Sequence, residues 1–313
     1  MNKELMNQGI HEPRRERSLT APDRGRNGTG TDAVTDAIPV IGLEPGTPHV
    51  HDGWTGRPVP ATRDSPLPRT PWTFVDVLAG LGLLLILTVV ISAGVAASGD
   101  RPDPSVLALL SLAATWIALL ATSWWACHRH GTGSIVADLG LTFRWADLWI
   151  GVLAGLGLRI GVVIIGVIAA TITRYQGGAS SNLPMELTAG TGMLITTAVA
   201  VTVIAPLVEE LFFRGLLLRS TLESLNRRAY RPRLSNPTTR IHLAVLTSAG
   251  LFALIHLSEA DNAFSATVLF LSLFVVGWVN ARLTLWSNRL GPAIVSHAVF
   301  NGTALILLLI IQR

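Results

Sequence analysis

Glu209, His256, His297 and Asn301 interrupt otherwise apolar stretches of this chain, and all four can move protons or bind developing negative charge. Glu209 lies in Val203-Ile-Ala-Pro-Leu-Val-Glu-Glu-Leu-Phe-Phe-Arg214, next to a second carboxylate, Glu210. On a helix, adjacent residues differ by about 100° and face different sides. Glu210 and Arg214 are four apart, the spacing of an acid–base pair on one face. That leaves Glu209 as the carboxylate free to take a proton from water. The plainer alternative is an interfacial charge pair that ends the helix. Pro206 removes a backbone hydrogen bond just ahead of the pair and is expected to bend the helix there.

His256 closes the run Phe252-Ala-Leu-Ile-His256, and a lone histidine on an apolar helix is more often a packing residue than a catalyst. His297 and Asn301 are four apart on one face of the last apolar stretch. They are suited to donate hydrogen bonds to an oxyanion, or to join two helices in lipid. The joint pattern changes the balance. Ionisable groups inside a membrane are expensive and usually functional, and here one Glu, two His and an Asn fall in three stretches of one chain.

The elements that must position them are membrane spans. Of 313 residues 50% are hydrophobic and only 14% charged, against about 25% charged in a soluble domain. Residues 1–71 are polar, proline-rich and too poor in apolar side chains to bury a core, so they are read as a disordered cytoplasmic tail. The membrane region is 72–313. Seven spans are expected at roughly 73–97, 105–127, 147–172, 192–217, 242–258, 264–283 and 293–311, which defines an all-α, polytopic bundle. Arginine is concentrated in alternate connections, above all Arg227, Arg228, Arg231, Arg233 and Arg240, while the fifth loop carries only Glu259 and Asp261. The positive-inside rule then puts the N-terminus in the cytoplasm and the C-terminus outside.

The net charge of +4 and pI near 10.1 are explained by these loops, and no nucleic-acid partner is implied. The single cysteine, Cys127, excludes an intramolecular disulfide. Lys3 is the only lysine, which suits a GC-rich bacterial genome. In the third span, Gly151-xxx-Gly155 and Gly157-xxx-Gly161 favour close helix contact. Arg159, in the same span, should find a carboxylate or carbonyls. Depth along the helix axes puts Glu209 and His297 near the cytoplasmic side. His256 computes deeper, a conflict that a tilted or late-starting fifth helix would remove.

Four motifs in order carry a resemblance. They are Glu209-Glu210-xxx-Arg214, Phe252-xxx-His256, Phe274-Val-Val-Gly277 and His297-xxx-Asn301, preceded by Asp138-Leu-Gly-Leu-Thr142. Together they resemble the CAAX protease and bacteriocin-processing family, which includes the type II CAAX prenyl endopeptidases, over roughly residues 135–311. The resemblance implies an intramembrane endopeptidase acting on membrane-associated or lipidated peptides and proteins. In it Glu209 activates water with help from His256, and His297 and Asn301 stabilise the oxyanion. Glu210 and Arg214 brace the site, with Phe252 in support. It leaves the cofactor open. Glu209, His256 and His297 are ligand types that suit zinc, but the local H-E-x-x-H spacing is missing.

Two other classes compete. A non-catalytic bacteriocin self-immunity or scaffold protein is compatible with the family, though the intact Glu209 and His256 argue against it. A proton-coupled transporter would also place Glu and His in the membrane. No inverted repeat relates the chain halves, and the polar groups crowd into the C-terminal half.

Overall fold

Ten α-helices account for almost all of the described chain. The computed structural model describes residues 70–99, 103–174 and 191–311. The expected disordered tail, residues 1–71, lies outside these apart from Thr70 and Pro71. In order the helices are α1 Phe74–Ser98, α2 Pro104–His130, α3 Ile135–Leu139, α4 Trp145–Thr173, α5 Thr191–Val199, α6 Ala205–Glu210, α7 Leu218–Asn226, α8 Pro237–Ile255, α9 Ala263–Ser287 and α10 Gly291–Ile311. Two π-helical turns, Ala200–Ile204 and Leu211–Leu217, join α5, α6 and α7 into one rod. Short 3₁₀ turns follow at Pro232–Leu234 and at His256–Glu259. No strand occurs among the described residues. Seven helices are long and apolar enough to cross a bilayer, so this is a multi-pass α-helical membrane protein.

The count of spans agrees with the hydropathy, but two of the boundaries differ. The fourth span runs Leu194–Asn226 and the fifth begins at Pro237, well past the ends that hydropathy suggests. Helical hydrogen bonding continues beyond the apolar window, because α7 buries Leu218 and Leu222 while ending in a polar, arginine-rich segment. Packing shows where the other helices stop. Gly215 lies against Leu139, Gly140 against the guanidinium of Arg219, and Gly291 against Asp147. The starts of α4 and α10 are therefore level with Gly215–Arg219, and the α7–α8 hairpin projects past them. Exposed Trp124, Trp125, Trp145, Trp149 and Trp286 lie at or near helix ends on this same side, as interfacial tryptophans do. Measured from Arg219, Glu209 is about 15 Å along its helix, and His297 is about 9 Å from the start of α10. Ser248 of α8 bonds the Phe213 carbonyl, so helical rise leaves His256 about 6 Å deeper than Glu209, and the side chains close that difference to the 3.9 Å between His256 Nε2 and Glu209 Oε2.

Only half of the glycine-rich face of α4 is a contact. A Cβ on Gly151 would clash with Val295, and one on Gly155 would meet the Ser296 carbonyl at 2.5 Å, so α4 and α10 approach closely there. Gly157 and Gly161 have nothing within 4 Å. Arg159 finds carbonyl and hydroxyl partners on α10 rather than a carboxylate. Its Nη2 donates to the Phe300 carbonyl at 2.6 Å, its Nε donates to Thr303 Oγ1, and the guanidinium lies 4.0 Å from the Phe300 ring centroid.

Candidate active site

The rod from α5 to α7 carries both glutamates, and its two π turns explain how its neighbours grip it. Ala205 N–H bonds the Ala200 carbonyl, five residues back. In that register the partner of the Val201 carbonyl would be Pro206, which has no N–H. Asn301 Nδ2 donates to that carbonyl at 3.0 Å, tying α10 to the rod. In the second π turn, Leu218 N–H bonds the Phe213 carbonyl, which also accepts from the buried Ser248 hydroxyl of α8 at 2.9 Å. π turns of this kind often mark functional sites. Gly277 of α9 packs directly on Ala249 of α8, where a Cβ would sit 2.9 Å from the Ala249 Cα.

The two adjacent carboxylates differ as their helical spacing predicts. Glu210 is fully buried. Its Oε1 accepts from Arg214 Nη1 at 2.9 Å, His297 Nδ1 at 2.9 Å and Asn280 Nδ2 at 3.0 Å. Glu209 keeps 12% of its side-chain surface exposed, and its Oε2 faces His256 Nε2 at 3.9 Å and His297 Nε2 at 3.8 Å. Glu209, His256, His297, Glu210 and Arg214 thus meet at one place. Phe252, wholly buried, is the wall behind them: its ring packs 4.8 Å from the His256 ring, edge-on to His297 at 5.5 Å, and 4.6 Å from the Arg214 guanidinium carbon. Asn301 is joined to this group through α10 and α6, not by a hydrogen bond to any of its members. Its amide retains a second N–H beyond the one given to Val201.

The tautomers of both histidines follow from their partners. His256 Nδ1 is 2.7 Å from the Phe252 carbonyl, which can only accept, so Nδ1 carries the proton. His297 Nδ1 faces the Glu210 carboxylate, which also only accepts when ionised. In the neutral rings both Nε2 atoms are therefore bare acceptors, and both are aimed at a third acceptor, Glu209 Oε2. Separations of 3.8–3.9 Å are too long for direct hydrogen bonds. A water about 2.8 Å from both ends of such a gap would see them at roughly 85–90°, not far from its own H–O–H angle.

The same three side chains are the candidate metal ligands, and their donor types suit zinc. The spacing does not: two atoms bound tetrahedrally to one zinc lie about 3.4 Å apart. Among the described residues no group of three His, Cys, Asp or Glu side chains is placed to hold a metal ion.

Asn280 is the member of the site that the sequence motifs do not include. It is buried, sits one turn beyond Gly277 on α9, and supplies the third hydrogen bond to Glu210. Its signal was available: it is a lone carboxamide in the apolar run Phe274-Val-Val-Gly-Trp-Val-Asn280.

The fold and this Glu–His–Asn group define a polytopic membrane protein with a cluster of ionisable and carboxamide side chains inside its helical bundle. A family model, "Type II CAAX prenyl endopeptidase Rce1-like", matches residues 191–303, the segment that holds every site residue named above. Over that segment the chain is similar to the type II CAAX prenyl endopeptidases of that model, which supports an intramembrane protease of the CAAX type. No curated protein and no solved structure matches the chain.

Proposed function

We propose that this protein hydrolyses peptide bonds of membrane-associated or lipidated substrates with a water activated by Glu209. The carrying observation is the convergence of three acceptor atoms, Glu209 Oε2, His256 Nε2 and His297 Nε2, across gaps of 3.8–3.9 Å. Acceptors that face one another need a donor between them, and a water supplies two. Glu209 takes one proton from that water as it attacks the scissile carbonyl. His256, held at Nδ1 by the Phe252 carbonyl, accepts at Nε2 and orients the water. The free amide N–H of Asn301 donates to the oxyanion, and the Glu209 carboxyl then gives the proton it took from the water to the leaving nitrogen as the C–N bond breaks. Glu210, Arg214 and Asn280 hold His297 and take no proton themselves. No step is routed through a metal.

The test uses purified full-length protein and a panel of membrane peptides, prenylated and unprenylated. Wild type should cleave at least one, and Glu209→Ala and His256→Ala should lose about 10²–10⁴-fold in rate, the usual value of a positioned acid or base. Equal cleavage by all three would sink the assignment. Parallel reactions with a chelator, and with zinc restored, read the metal requirement directly. If cleavage fails across the panel while a bacteriocin-immunity or transport phenotype survives in both variants, the peptidase reading is wrong.

The orientation that goes with this reading places the N-terminus and the α7–α8 hairpin in the cytoplasm, from the arginines of that hairpin. A Ser235→Cys probe in a Cys127→Ser background should label only from the cytoplasmic face.

A further inference from the structure

Just past His256 lies a carboxylate that the catalytic scheme does not use. Helix α8 ends at Ile255, and the chain tightens into a 3₁₀ turn over His256–Glu259. In a 3₁₀ turn the side chains at i and i+3 eclipse, so Glu259 stands on the same face as His256, one turn further along. Its side chain is exposed and makes no hydrogen bond or ion pair with any described residue. It is near enough to both His256 and Glu209 to feel their charge. An exposed, unpaired carboxylate at the end of an apolar span must meet water rather than lipid, so this end of α8 is a wet approach to the site.

The charges around that approach are lopsided. Arg214 lies beside the catalytic group, fully buried and paired with Glu210. Glu209 and Glu259 are then the two carboxylates that face this approach without a hydrogen-bonded cation, and Asp261 follows on the same loop. The described part of that loop, residues 260–262, contains no basic residue.

We propose that Glu259 is a specificity determinant that favours substrates carrying a cationic group, a lysine or arginine side chain, next to the scissile bond. This rests on the peptidase reading for what happens after binding, but not for the binding preference itself. An acidic residue at the same substrate position would meet Glu259 and Glu209 together and be rejected. Selection against a like charge is how such groups confer discrimination.

The experiment uses three peptides, identical except for Lys, Gln or Glu beside the bond cleaved by wild type. Binding is read in a Glu209→Gln background, where the charge at position 209 is removed and Glu259 alone varies. The Lys peptide should bind about tenfold tighter than the Gln peptide, and the Glu peptide about tenfold weaker, as expected for one partly screened charge pair. Glu259→Gln in that background should level the three, and Glu259→Lys should reverse their order. In the active protein kcat/KM should follow the same ranking. An unchanged preference for Lys in Glu259→Lys overturns the inference even if cleavage depends on Glu209. Conversely, a reversed binding order in a protein that cleaves nothing supports the inference while overturning the peptidase reading.

Discussion

Removing the Asn280 amide should separate the architecture of the site from its chemistry. Glu210 Oε1 accepts three hydrogen bonds of 2.9–3.0 Å, all from donors inside the bundle. Only one of those donors, Arg214, carries a full charge when His297 is neutral. In Asn280→Ala the lost bond is one to a charged acceptor, which is worth about 1.5–3 kcal/mol. No water is close at hand to replace it, because Glu210 and Asn280 are both fully buried. For a helical domain of about 240 residues, that lowers the thermal midpoint by roughly 3–10 °C. The rate should fall far less than in Glu209→Ala, by about tenfold, because His297 keeps its own bond to Glu210. Asn280→Asp should be worse than Asn280→Ala, since it loses the donor and sets a second carboxylate about 3 Å from Glu210. Thermal unfolding in detergent and cleavage rates on the same samples give both numbers. If Asn280→Ala melts within a degree of wild type, or Asn280→Asp is the milder change, then Glu210 is not the ionised hub described here.

Three further outcomes follow from the packing. Phe252→Ala empties the wall shared by His256, His297 and Arg214 and should cost about 3–5 kcal/mol of stability, with Phe252→Leu recovering much of it in the same melting assay. Gly155→Leu should disrupt the α4–α10 contact and lower the yield of folded protein, whereas Gly161→Leu, which faces open space, should leave the melting curve unchanged. Asn301→Ala strands the Val201 carbonyl that Pro206 cannot serve, at about 1–3 kcal/mol. A rate loss much beyond that seen in equally destabilised variants would mark the second N–H of Asn301 as an oxyanion donor.

Hydropathy made the seven spans legible, since an uncharged stretch of about 20 residues has few other uses. It placed the ends of the fourth and fifth poorly. Backbone hydrogen bonding carries α7 and α8 past the apolar stretches, and a window that averages polarity has no access to that. Glu209 and Glu210 could be told apart from the sequence because the i, i+4 partner of only one of them is Arg214. The π turns were not legible: widening a helix by one residue per turn leaves no periodic trace, and Pro206, the one local sign, suggested a bend. Asn280 carries no charge, so the cost that marks an ionisable group in an apolar helix does not mark it. The structural role of Asn301 was hidden because it depends on which carbonyl the π register leaves free. Of the two glycine pairs on α4, spacing alone could not say which faces a neighbour and which faces lipid.

In the proposed mechanism the protonation of the reacting groups is a property of residues that take no proton themselves. Phe252 O and Glu210 Oε1 each accept from a histidine Nδ1, and by doing so leave both Nε2 atoms bare toward Glu209. Glu210→Gln breaks that logic at one point only. A glutamine can rotate its amide to donate to His297 Nδ1, which moves the ring proton to Nε2. His297 would then present a donor to Glu209 across a 3.8 Å gap that a small side-chain shift closes, tying up the base and displacing the water. The loss should therefore appear mainly in kcat, with substrate affinity little changed. Nitrogen chemical shifts of His297 should report the exchanged tautomer, while those of His256, held by a backbone carbonyl, stay as they are. A Glu210→Gln protein that is folded, slow and unchanged in its His297 shifts would mean that Glu210 acts on the reaction by charge alone, not by fixing the proton on its neighbour.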